Sequence, residues 1–532
     1  LEEEITMANL KKLAQIARAQ GLSPIMHADH RAPMTRRDLV AQGFLAGGAY
    51  VLTPSILAML SGRAYGAPDC GAGSADATAP VNGIRIMAFE AAGGMNIAGS
   101  NFMVWGANGK GDTLPPAGLG VLGVPAARAT ATVNEDFGIA MHPDSALLNG
   151  LLAATSPGCR AKVNGVPFCV SSADDSSNNP FSLAYWANKA GAKGTLSSLI
   201  GSETTAHGAR SMAPVESVSA SVSSTQIRSF DDARNLVTAA SLETAMPGRV
   251  GSILKAASGM SSARIKMLTD KELPEQVRTL IECGYISSET AVSGNLSDAV
   301  DARQDAALVA ALAAAGGGYD PTLRNFQINR NIAQGDTPAT LSAAYLLLKG
   351  YSGFATRVMG GRDYHNNPRQ DTNQKDFDVG FQMGTVLEAA HTMGKSIALV
   401  LQTDGGVGCS DPNTPDNPNA ANNPAGGQAM FTSDRGEGSC MILMVYHPKG
   451  RPALSNDIGQ VNSFNTNGAV DQNNPDGKII ANSPTNAIQS ILLNILALNG
   501  RLGDAETILG AGHPFKDAGV LEKYVMFGAW PT

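Results

Sequence analysis

The chain has 532 residues, 43% of them hydrophobic and 16% charged, with a formal net charge of −7. That is enough apolar material for a large core, in one big domain or in several smaller ones, and the acidic balance leaves no basic footprint for nucleic acid. Few aromatics (5%), 59 glycines and plentiful Ala, Ser and Asn fit a secreted bacterial protein with long polar loops.

Residues 1–33 read as an amphipathic N-terminal extension, with acidic residues first, basic ones later, and Ile5, Leu10, Leu13 and Ile16 near helical spacing. "HADH" at 27–30 reads as a solvated loop. Residues 34–67 open on Arg36 and Arg37, run uncharged from Leu39 to Arg63 and leave through small residues. A charged start, a mildly apolar middle and a small-residue exit describe an export signal, and the paired arginines select its twin-arginine version. The run is also long enough for a retained membrane anchor, so membrane contact is expected only there. Residues 68–80 form a linker, and 81–532 are expected to build one large domain with a less regular insertion around 185–335.

Within that domain "GIRIMAFEAAGG" (83–94) reads as a buried strand closing on a glycine turn. Residues 170–180 and much of 196–265 read as polar loop or weakly periodic chain. From Lys266 to Ala315 the pattern is helical, with Gly284 stopping "PEQVRTLIECG". "SGFATRVMG" (352–360), "SIALVLQT" (396–403) and "SCMILMVYH" (439–447) read as strands. Residues 377–394 read as a helix burying Phe377, Phe381, Leu387 and Ala390, and 486–500 as a helix ending at glycine. Strand, helix, strand at this length predicts a right-handed parallel crossover. The alternation predicts an α/β three-layer sandwich around a mostly parallel sheet.

Six cysteines stand at Cys70, Cys159, Cys169, Cys283, Cys409 and Cys440, none in a C-x-x-C pair. In an oxidising compartment an even count can pair fully. Cys159 and Cys169 bracket a short loop, Cys409 and Cys440 bracket a Pro/Asn-rich one, and Cys70 with Cys283 would remain. Buried free thiols are the alternative reading.

Open α/β sheets bind ligands outside the carboxyl ends of their strands. The residues that fall there are Gly93, Gly94 and Asn96 after the first strand, Asp363 and His365 after the strand at 352, Thr403 and Asp404 after the strand at 396, and Asp434, Arg435 and Glu437 before the strand at 439. Carboxylates and an imidazole converging from neighbouring strand ends suit zinc, manganese or a similar divalent ion. The structural alternative is turn-capping aspartates and a surface histidine. His142 reads as part of a helix start, His391 as a packed or surface residue on its helix, and Ser176 and Ser177 lack an identifiable base. The oxygen-rich loops 411–419 and 471–477 lack the EF-hand spacing for calcium and read as polar loops.

Taken together, "RIMAFEAAGGMNIAGSN", "IAMHPDSALLNGLLA", "ATLSAAYLLLKGYSGFATRVMGGRDYHNN", and "SIALVLQTDGG" followed by "SDRGEG" resemble a twin-arginine-exported, sulfatase-like bacterial family, domain of unknown function fifteen-oh-one, a relative of the alkaline phosphatase superfamily. The resemblance thins between about 185 and 335. It implies an alkaline phosphatase/sulfatase-like fold with long polar insertions, located in the periplasm or at the cell surface. Asp363 and His365 match the family's D-x-H. Asn96 stands where the first turn has Asp. Asp404 falls near the Glu of S-E-F-G-R, whose arginine is absent. Asp434 matches the acid of D-H-G, and Arg435 replaces its histidine. A guanidinium cannot ligate a metal, so Arg435 is expected to repel a cation or pair with Asp434. The resemblance therefore implies an eroded ion centre with no cofactor, or at most a Zn, Mn or Ca ion. It points to a non-catalytic scaffold that binds a protein partner in the cell envelope. A metal-dependent phosphate or sulfate ester hydrolase is the alternative, and a calcium- or carbohydrate-binding surface module a third.

Overall fold

A computed structural model describes residues 83–91, 93–172, 183–192, 194, 197–201, 225–236, 296–316, 331–365, 369–410 and 430–532. Expectations for Arg36, Arg37, Cys70, Cys283, Ser176, Ser177, "HADH", the helix at 274–284 and the loop 411–419 lie outside those residues. Among the described residues, no helix is long and apolar enough to cross a membrane.

The described elements are organised around one seven-stranded sheet in the order β2-β9-β6-β1-β5-β3-β4. Its strands are β1 (Ile86–Glu90), β2 (Val163–Cys169), β3 (Ser197–Gly201), β4 (Thr225–Gln226), β5 (Ser352–Val358), β6 (Ile397–Gln402) and β9 (Cys440–Tyr446). β1 pairs in parallel with β5 on one side and β6 on the other. β9 is antiparallel to both β6 and β2, so it alone among these seven runs against the rest. β7 (Val407–Ser410) and β8 (Met430–Asp434) form a separate antiparallel pair.

The helices that flank the sheet are α1 (Ala146–Ala154), α2 (Leu183–Lys189), α3 (Ala306–Ala314), α4 (Thr337–Leu348), α5 (Arg369–Thr392) and α6 (Pro484–Leu498). One core joins Met87, Phe89, Leu399, Leu401 and Ile442 to α1, α4 and α5. The other joins Ile86, Ala88, Ala398, Val400 and Leu443 to α2 and α6. Helices on both faces explain why β1, β6 and β9 are runs of apolar residues instead of alternating ones. The architecture is thus an α/β sandwich with a mostly parallel central sheet. The crossover β5-α5-β6 is parallel and passes over β1.

Four elements depart from the sequence reading. Residues 163–169 are not a loop but the edge strand β2, buried along its length. Gly165 and Pro167 mask it, and proline is tolerated at a sheet edge. β3 and β4 lie inside the stretch read as irregular, and they complete the sheet. Helix α5 starts eight residues before its expected beginning, because its first two turns are polar yet hold the buried Thr372, Asn373 and Asp376.

The two expected pairings, Cys159–Cys169 and Cys409–Cys440, are not made, and all four residues are buried thiols. Cys159 packs near Glu388 and Tyr446. Tyr446 faces Val163 at one end of β2, whereas Cys169 closes the other end. A strand of seven residues separates them, about 20 Å. Cys409 lies on β7 and Cys440 on β9, in different sheets.

Helix α5 packs against α1 backbone to backbone. A Cβ at Gly380 would lie 2.0 Å from the Leu147 carbonyl oxygen, and one at Gly150 would lie 2.1 Å from that of Phe377. Only glycine permits such an approach. Gly380→Ala is therefore expected to destabilise the protein by about 3 kcal/mol or more, the upper end for overpacking. Gly503→Ala, where a Cβ meets nothing within 4 Å, should stay within about 0.5 kcal/mol. Denaturant midpoints of the two variants check this.

Candidate functional site

The carboxyl ends of β6, β1 and β5 lie side by side. The Ala91 N–H donates to the Gln402 carbonyl at 2.9 Å, and the Met359 N–H to the Glu90 carbonyl at 2.8 Å. Three segments leave this edge together: 91–96, 359–365 and 403–406. Gly93 turns with φ at 110°, and a Cβ there would lie 2.8 Å from the Asp363 amide nitrogen. The glycine turn is thus what lets the Asp363 segment sit against the end of β1.

Asp363 and His365 project from the segment after β5, and Asp434 from the end of β8. One ligand atom from each of these three lies within 4.8 Å of the other two. His365 Nδ1 contacts Asp363 Oδ1 and lies 3.4 Å from Asp434 Oδ1. All three side chains reach solvent, at 49%, 38% and 48% exposure for Asp363, His365 and Asp434, so an ion or an anionic group can enter without the chain opening. Two carboxylates and an imidazole form a donor set that suits zinc or manganese, with further coordination positions left for water or a ligand.

The other two expected ligands do not join this cluster. Asp404 is buried, and its Oδ1 accepts the Gly93 N–H at 2.5 Å. It holds the glycine turn. Asn96 is buried as well. Its Oδ1 accepts from Ser100 Oγ at 2.6 Å, and its Nδ2 reaches the Leu122 carbonyl at 3.4 Å and Cys409 Sγ at 3.3 Å. A carboxylate has no proton to donate to that carbonyl, so the amide suits its surroundings as an aspartate would not. Arg435 does not pair with Asp434. Its Nη2 donates to the Asn467 carbonyl at 3.0 Å, and its Nε lies 3.3 Å from Glu437.

Beneath the cluster lies a buried polar network that sequence reasoning missed. Tyr364, between the two ligands of D-x-H, donates its hydroxyl to Asp376 Oδ1 at 2.7 Å. Asn101 Nδ2 donates to Asp376 Oδ2 at 3.0 Å. Burial raises the Asp376 carboxyl above the usual carboxylate range, against the opposing pull of these two hydrogen bonds and of Arg369 and Arg362. The Tyr364 ring packs against Phe431 with centroids 5.3 Å apart and planes tilted by 38°, and the guanidinium of Arg369 lies over Phe431 at 4.5 Å. Phe431 and Asp434 share β8. The Tyr364–Phe431 contact therefore joins the two segments that carry the cluster. The one signal in sequence was the run of polar residues before the helix at 377.

The remaining candidates are structural. His142 Nδ1 accepts the Asp144 N–H at 3.1 Å, and burial lowers its pKa, so it braces the approach to α1. His391 Nδ1 lies 3.0 Å from the Tyr446 hydroxyl. In the loop 471–477 Asp471 and Asn474 accept backbone N–H groups, and Asp476 pairs with Lys523 at 2.6 Å.

Asp376→Ala would leave without an acceptor the Tyr364 hydroxyl and one N–H of the Asn101 amide, whose nitrogen also donates to the Asn96 carbonyl at 2.7 Å, at about 1–3 kcal/mol for each orphaned group. The expected loss is about 2–4 kcal/mol in chemical denaturation, with Tyr364→Phe costing less.

Comparison of the chain with known protein families, with characterised proteins and with solved structures finds no match.

Proposed function

We propose that this chain is an exported envelope protein on a sulfatase-like α/β scaffold, whose strand-end site holds one divalent cation and serves binding instead of ester turnover. One observation carries this reading. Of the five side chains expected to form an ion centre, Asp363, His365 and Asp434 converge, while Asn96 and the Oδ1 of Asp404 are committed to internal hydrogen bonds. Three donors suffice for a single ion. A two-ion centre that clamps both the attacking and the leaving oxygen of an ester needs more. An exposed ion with open positions recruits a carboxylate, phosphate or sulfate group from a partner, and that is the role given to it here. The paired Arg36 and Arg37 support export, and replacing both by lysine should retain the protein in the cytoplasm on fractionation.

The second reading, a metal-dependent hydrolase, draws on the same cluster, since three protein ligands plus water also make a catalytic zinc site. Titration with Zn²⁺ and Mn²⁺ and metal analysis of the purified chain test both readings. About one ion per chain is expected, with affinity weakened by roughly 10-fold or more in Asp363→Ala, His365→Ala and Asp434→Ala. Aryl phosphate and aryl sulfate esters should not turn over with metal present. Turnover lost in Asp363→Ala would install the hydrolase reading, and no binding by the unaltered chain would remove both.

A further inference from the structure

We propose that Cys169 and Cys440 form an oxidisable pair, which closes to a disulfide once the chain stands in an oxidising compartment. The two residues stand directly opposite each other in the antiparallel register of β2 and β9. The Cys169 N–H donates to the Val461 carbonyl at 2.9 Å, and the Cys169 carbonyl accepts from Asn462 Nδ2 at 3.1 Å. Both backbone groups of Cys169 therefore point away from β9, which makes this a non-hydrogen-bonded pair. At such pairs the Cα atoms lie about 4.5 Å apart and the side chains approach most closely. A disulfide spans Cα separations of about 4.4–6.8 Å. Both side chains belong to the core on the α5 face of the sheet. Neither has a rival among the described cysteines. Cys159 sits at the far end of β2, and the Cys409 sulfur is held by Asn96 on another sheet.

The oxidant is a low-molecular-weight disulfide such as oxidised glutathione. One cysteine sulfur, as thiolate, attacks it, forming a mixed disulfide and releasing one thiol. The second cysteine sulfur attacks the mixed disulfide, forming the Cys169–Cys440 bond and releasing the second thiol. The protein gives up two protons and two electrons, and the small disulfide takes them up. Burial holds both protein thiols well above the ordinary cysteine range, so exchange in the folded chain is slow. The bond, once formed, is shielded from reductant by the same burial.

The pair sits at the same end of the sheet as the cation cluster. Just beyond Cys169, Ser172 donates its hydroxyl to the Asp404 carbonyl at 2.7 Å and its N–H to the Gly436 carbonyl at 3.1 Å. Just before Cys440, the Ser439 hydroxyl reaches the Gly405 carbonyl at 3.3 Å. A bond between the two sulfurs would brace the backbone around Asp404 and Asp434.

The test uses the full chain produced once in an oxidising and once in a reducing compartment. Free thiols are alkylated during denaturation, and the protein is digested without reductant for peptide mass mapping. The oxidised sample should yield a cross-linked peptide holding Cys169 and Cys440, depleted at least tenfold by dithiothreitol in denaturant. Its Tm should exceed that of the reduced sample by several degrees, a difference lost in Cys169→Ala and Cys440→Ala and kept in Cys409→Ala. Alkylation of both residues in the oxidised sample, or cross-linking of either to another cysteine, Cys70 and Cys283 included, would overturn the proposal. If a variant does not fold, the map of the unaltered chain decides alone.

Discussion

A single buried carboxylate holds the candidate site in register with the fold. Asp376 lies in the first turns of α5 and receives the hydroxyl of Tyr364 and the amide of Asn101. The first comes from the segment that carries Asp363 and His365, the second from the chain beyond the glycine turn. Asp376 can do this only because α5 is fixed against α1, where Gly380 and Gly150 bring the two backbones together. A larger residue at either glycine would displace the helix, then the carboxylate, and then the ligands. Packing one helix closely against another thus becomes positional accuracy at a surface cluster.

Sheet topology does the rest. β1 is central, and the chain places β5 on one side of it and β6 on the other. Three parallel strands then end at one edge, and three loops emerge there in contact. The reversed direction of β9 sends its amino-terminal end to the same edge, preceded by Asp434 and the turn at Gly436–Gly438. A parallel β9 would have put that turn at the opposite end of the sheet, away from His365.

Much of this was legible in the residues, for definable reasons. Strands covered by helices on both faces are short apolar runs, and β1, β6 and β9 stand out as such. D-x-H after β5 and an aspartate just before β9 fall at the ligand-bearing edge once the sheet is parallel. What stayed hidden depends on partners distant in sequence. β2 carries a proline and a glycine that its edge position excuses. The first turns of α5 are polar partly because Thr372, Asn373 and Asp376 are buried, Asp376 against Tyr364 and Asn101. The cysteines were grouped by the loops they bracket, whereas strand register sets Cys169 against Cys440. Asp404 was read as a ligand, yet the Gly93 N–H claims one of its oxygens.

Asn96 has a structural place of its own in the fold. Taken as a substitution for aspartate, it is a lost ligand and nothing more. In the fold its amide links Ser100, the Leu122 carbonyl and the Cys409 sulfur. Cys409 lies on β7, and β7 pairs with β8, which ends in Asp434. The amide at 96 is thereby connected, through one strand pair, to a carboxylate that does reach the cluster. An aspartate at 96 would add negative charge and lose the donor that anchors β7. A second cation in the site would require the first change and could not tolerate the second. The same residue that would leave room for only a single ion therefore also steadies the strand pair that carries Asp434, one of the three side chains of the cluster.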